Sequence, residues 1–126
     1  MKLGIVGSRR RNDAKDFSLL LKRVLDLQPE LIVSGGCSKG ADRFAEDIAK
    51  RLGIPILIYY PKLRQTSNYA YHEIVKANYA RNELIAKNSD HLIALVAPDR
   101  KGGTENTIQH FKRIWIMSWK QKLEIL

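Results

Sequence analysis

Apolar positions change their period from one segment of the chain to the next, and the changes predict strands and helices in alternation. Leu3–Val6 is a short apolar run ended by Gly7-Ser8. Phe17, Leu20, Leu21, Val24 and Leu25 then recur at i, i+3, i+4, i+7 and i+8, the stripe of an amphipathic helix. Leu31-Ile32-Val33 reads as a second strand, closed by Ser34-Gly35-Gly36. Ala41, Phe44, Ala45, Ile48, Ala49 and Leu52 form a second helical stripe, with Gly53 as its stop signal. A third strand follows over Ile56–Tyr59, then a polar, tyrosine-bearing loop over 61–71. His72–Asn88 is helical in pattern, and His91–Val96 is a fourth strand. After a turn over Pro98–Gly103, a helix from about Thr104 is expected to carry Ile108, Phe111, Trp115 and Trp119 on one face. Leu123–Leu126 supplies a last strand.

Uniformly apolar strands separated by helices imply a parallel sheet covered on both faces. The pattern therefore predicts one α/β, doubly wound, Rossmann-like domain over residues 1–126, with a mainly parallel sheet of about five strands. No stretch approaches the roughly 20 apolar residues of a membrane span, so no membrane partner is expected. The first residues reach a glycine turn too early for a signal peptide, and a single cysteine, Cys37, excludes an internal disulfide. A cytoplasmic location is the default expectation.

The formal charge of +9 changes the picture, because an excess that large favours anionic partners. Arg9-Arg10-Arg11 is the one basic triplet, and it follows the first glycine turn directly. Ligands of open parallel sheets bind beyond the carboxyl ends of the strands. Three strand ends here meet glycine: Gly7-Ser8-Arg9; Ser34-Gly35-Gly36 through Lys39 and Gly40; and Gly102-Gly103-Thr104-Glu105. Such loops let an anion approach backbone amides, and the following helix adds unpaired N–H groups and the positive end of its dipole. The first loop has neither dinucleotide-fingerprint nor P-loop spacing. Arg9 instead offers a planar charged fork for phosphate, while Arg10 and Arg11 are expected to be solvent-exposed.

Asp42, in the first turn of the second helix, either interacts with the helix end or reaches a ribose hydroxyl. Arg81 falls on the apolar stripe of its helix and so needs an anion or an opening to water; ligand contact is the expectation, with Asn82 alongside. Cys37 reads as a small loop residue rather than a nucleophile. His72, His91 and His110 lack metal-ligand spacing, so neither a metal nor a cofactor is expected. Trp115 and Trp119 suggest core packing or a homo-oligomer contact.

Taken in order, Gly7-Ser8-Arg9, Ser34-Gly35-Gly36-x-x-x-Gly40-Ala41-Asp42, Arg81-Asn82 and Gly102-Gly103-Thr104 resemble the SLOG superfamily, and within it the small stand-alone YspA-like members. The resemblance implies a Rossmann-like fold and a site for nucleotides or nucleotide-derived ligands on these loops, serving a sensor or a nucleotide-processing hydrolase. The related LOG phosphoribohydrolases carry a glutamate where Thr107 stands here. Glu105, two residues earlier, points roughly 200° around the helix from that direction. The related DNA-processing protein A binds single-stranded DNA through a similar domain, and the +9 charge suits that alternative. A plainer alternative is an interaction protein using the Trp115/Trp119 face.

Overall fold

The computed structural model describes residues 1–63 and 68–126, so the middle of the expected 61–71 loop lies outside the described residues. The elements are β1 (Lys2–Gly7), α1 (Ala14–Leu27), β2 (Leu31–Ser34), α2 (Ala41–Leu52), β3 (Ile56–Ile58), α3 (Tyr71–Lys87), β4 (His91–Leu95), α4 (Gly103–Ile114), α5 (Trp119–Lys122) and β5 (Leu123–Ile125). They build one five-stranded sheet in the order β3-β2-β1-β4-β5, with every neighbouring pair parallel. The expected doubly wound α/β domain is the observed fold.

Side chains alternate across the sheet with period two, and each set finds a different pair of helices. Leu3, Ile5, Ile32, Ile93 and Leu95 join Leu20 and Val24 of α1 and Ala45 and Ile48 of α2 in one buried cluster. Val6, Val33, Leu92 and Ala94 point the other way, to Ile85 and Ala86 of α3 and Ile108 and Phe111 of α4. Nearly continuous apolar runs in β1 and β4 are thus the consequence of two covered faces.

The helix ends follow their sequence signals in part. Asp13 caps α1 by accepting the Asp16 amide at 2.8 Å, and α2 stops at Gly53 in a left-handed conformation. Two expected stripe residues are exposed instead: Leu25 at 50% and Leu52 at 38%. Each lies in the last turn of its helix.

The last helix is shorter than its stripe suggested. It ends at Ile114, where the Trp115 amide closes on the Phe111 carbonyl, and a turn at residues 115–118 leads into α5. Trp115 still packs against Phe111, with ring centroids 6.4 Å apart, while Trp119 belongs to the next element. The turn lets β5 start beside Leu92 and pair along β4.

Candidate functional site

The strand order places a switch point between β1 and β4. From β1 the chain winds outward through β2 to β3, then crosses back to β4 on the other side. Loops leaving β1 and β4 diverge over opposite faces and leave a crevice at their carboxyl ends. A cleft of about 690 Å³ occupies that position. Its lining includes Gly7, Ser8 and Arg9 from the β1 loop, Cys37 and Asp42 from the β2 loop and α2, and Gly102, Gly103 and Thr104 from the start of α4. Arg81 and Asn82 enter from α3.

The loops are locked together before any ligand arrives. Gly40 has φ 72°, and a Cβ there would stand 2.7 Å from the Ser8 carbonyl oxygen, so glycine is required where the first two loops touch. The Gly40 amide donates to Asn12 Oδ1 at 2.8 Å, a contact from the β1 loop that sequence reading did not single out.

Asp42 is buried and turned back into its own loop rather than free toward a sugar. Its Oδ1 accepts from Ser34 Oγ at 3.0 Å and its Oδ2 from the Cys37 amide at 3.0 Å. Ser34 also donates to the Ile5 carbonyl, so it is a buried link between β1, β2 and α2 and does not line the cleft. Burial holds the Asp42 carboxyl above the usual carboxylate range, against the opposing pull of the Cys37 amide, the Ser34 hydroxyl and Arg81. No capping bond from a side chain occupies the start of α2.

Arg81 is half-buried, and its fork is engaged by backbone. Nη1 donates to the Gly35 carbonyl at 2.7 Å and to the Tyr59 carbonyl at 3.4 Å, while Nε donates to Asn82 Oδ1 at 2.9 Å. Burial lowers its pKa, and nearby Asp42 opposes that shift. Arg81 therefore ties α3 to the ends of β2 and β3 while remaining on the cleft wall. Asn82 passes the connection onward, its amide donating to the Gly103 carbonyl and to Asn106 Oδ1, each at 3.3 Å.

Other expected site residues stand apart from the cleft. Gly35 is buried beneath Arg81 and Asp42, Gly36 faces Tyr60, and Lys39 is exposed on the loop. Glu105 turns away and binds Arg100 through two bonds of 2.9 and 2.8 Å, whereas Thr107 lines the cleft. The two-residue offset between them accounts for the difference.

The expected exposure of the arginine triplet holds for Arg10, which pairs with Asp99 at 2.6 Å and sits at the cleft edge. It fails for Arg11, whose side chain is only 20% exposed. Arg11 binds Asp16 at 2.8 Å and donates to the carbonyls of Val96 at 2.9 Å and Leu126 at 2.8 Å. The signal was present five residues on, in an acidic residue at the start of α1.

Apart from Tyr71, one of the tyrosines flanking the 61–71 loop, sequence reading missed the α3 wall. Tyr71, Ile74, Val75, Asn78 and Tyr79 line the cleft together with Lys101 from the turn before α4. The N-cap of α4, Gly102, carries no side-chain capping bond, and Gly102, Gly103 and Thr104 at that helix start line the cleft. The arrangement offers cationic groups and backbone donors on one side and an apolar, tyrosine-bearing wall on the other. Among the described residues no cluster of histidine, cysteine, aspartate or glutamate could hold a metal ion. No described helix is long and apolar enough to cross a membrane. Neither the protein-family models nor the curated proteins contain a match to this chain.

Proposed function

We propose that the cleft binds a nucleotide or nucleotide-derived ligand, with the protein acting as its sensor or as a hydrolase that processes it. The observation that carries this reading is the cleft's charge distribution at the switch point. Among the described residues, Arg9, Arg10, Arg81 and Lys101 line it against one lining carboxylate, Asp42. A phosphate would sit between Arg9, Lys101 and the leading amides of α4, where charge and dipole act in the same direction. Ile74, Val75 and the tyrosines of α3 give a planar base an apolar surface. The volume falls within the range of about 300–1,000 Å³ typical of small-molecule sites. The ordered glycine and arginine elements support membership of the SLOG superfamily as part of the same reading.

Binding is the stronger half of the proposal. Hydrolysis of an N-glycosidic bond or phosphate ester needs a group that moves a proton, and Glu105 is held outside the cleft by Arg100. Asp42 is the carboxyl that lines the cleft; burial raises its pKa, and its oxygens are engaged by Ser34 and the Cys37 amide, so it would have to leave those bonds to move a proton.

Calorimetric titration with AMP, ADP, ATP, ADP-ribose and inorganic phosphate tests the reading. Saturable binding of one nucleotide, lost in Arg9→Ala and Lys101→Ala, is expected. Absence of binding across the panel at millimolar concentration overturns it. Tighter binding of a single-stranded oligonucleotide, falling steeply with salt, assigns the basic surface to nucleic acid instead.

A further inference from the structure

The turn after α4 has no part in the cleft. Since α4 starts at the cleft and runs back along the sheet, its end lies at the opposite, amino edge of the strands. Trp115 Nε1 marks the place, donating at 3.2 Å to the carbonyl of Ser89, just ahead of β4. Here Ile116 is 69% exposed and Met117 93% exposed, beside Ile114 at 40%. An aliphatic residue that open must project from the surface.

The projection has a basic collar. Residues 110–122 contain Lys112, Arg113, Lys120 and Lys122 and no aspartate or glutamate. The lysine ammonium groups lie over the tryptophan rings: Lys112 Nζ is 4.3 Å from the Trp119 ring centre, Lys120 Nζ 5.8 Å from it, and Lys122 Nζ 4.4 Å from that of Trp115. Nearby carboxylates are engaged elsewhere. Glu124 is held by Arg23 and His91, and Glu83, on α3, pairs with Lys87 at 3.0 Å while it feels Arg113 and His110.

We propose that this turn docks on an anionic lipid surface, Ile116 and Met117 entering the interface while Lys112, Arg113, Lys120 and Lys122 meet the headgroups. A protruding aliphatic tip inside a cationic ring matches a soft, negatively charged layer, and a chain with no spanning helix among its described residues can lie on a bilayer in this way. Nucleic acid fits less well, because Ile116 and Met117 do not stack on bases and the Trp119 ring already carries two lysines. A second copy would bring like charges together.

Cosedimentation of the full chain with vesicles tests the proposal. Binding to phosphatidylcholine vesicles containing phosphatidylserine, absent on phosphatidylcholine alone and weakened by salt, is expected. Lys112→Gln and Lys120→Gln should each lower the partition about fivefold. The double variant Ile116→Ser, Met117→Ser should lower it severalfold while keeping the salt dependence, and its exposed sites leave folding intact, as a matching circular dichroism melt would verify. No binding to anionic vesicles at low salt overturns the proposal, as does binding that the double variant leaves unchanged. Oligonucleotide binding lost with the lysines, without vesicle binding, overturns it in favour of nucleic acid.

Discussion

Arg81 Nη1 donates to the Gly35 carbonyl at 2.7 Å, and a Cβ on Gly35 would stand 2.8 Å from that same nitrogen. The guanidinium thus occupies the space a side chain at residue 35 would need. Gly35→Ala should displace the fork from the cleft wall without altering any charge. The expected outcome is nucleotide affinity reduced about tenfold or more and stability lowered by about 1–3 kcal/mol, the scale of a strained contact plus a lost charged hydrogen bond. Calorimetric titration and urea melts measure the two effects separately.

Arg81→Lys keeps the positive charge but has one nitrogen where the fork uses two. Loss of the bonds to Gly35 and Asn82 should cost about 1–3 kcal/mol in chemical denaturation. If the variant were as stable as the parent, the backbone-tying role of Arg81 would be wrong.

Arg9 is exposed, so its removal should leave the melting temperature nearly unchanged. Arg9→Ala should nevertheless weaken nucleotide binding about tenfold or more, as expected for a charge-assisted phosphate contact worth about 1.5–3 kcal/mol. Glu105→Gln is the control: it breaks the pair with Arg100 at the surface and should leave affinity unaltered.

Asp42 gives a pH dependence of definite sign. Its folded-state pKa is raised, chiefly by burial, above the unfolded value. Its contribution to stability is therefore full below the unfolded pKa and is lost as pH rises through the folded pKa. The melting temperature of the parent relative to Asp42→Asn should fall across that window and level off above it. A gap independent of pH would show that the carboxyl is not the titrating group.

Arg11 should matter more to stability than its neighbours. Arg11→Ala leaves Asp16 and the Val96 carbonyl without this donor and leaves the Leu126 carbonyl only the longer bond from the Val96 amide, at a cost of about 2–4 kcal/mol in denaturant titrations. Arg10→Ala removes only an exposed pair and should cost at most about 1 kcal/mol.

These contrasts indicate what the sequence could express. The uniformly apolar runs Leu3–Val6 and His91–Val96 carried the two-faced sheet, because a strand buried on both faces needs an apolar residue at every position, a local property. Glycines at strand ends carried the cleft floor for the same reason. Strand order was not legible, since pairing β1 with β4 joins residues about ninety apart in the chain. The α3 wall was hidden because its apolar residues serve two environments: Ile85 and Ala86 fill the core, whereas Ile74 and Tyr79 face the cleft, and one stripe cannot describe both. Asp42 and Arg81 were singled out, but part of what holds each is backbone, the Cys37 amide and the Gly35 carbonyl, which no side-chain pattern records.

The two buried clusters lie on opposite faces of the sheet, and the cleft opens along the seam between them. Asp42 and Cys37 ride on the layer of α1 and α2, while Asn78, Arg81 and Thr104 ride on that of α3 and α4. Under the proposed binding reading, a molecule seated there would touch both helical layers at once. A substitution on either face of the sheet would then reach the ligand, so the affinity of one site would read the packing of both layers.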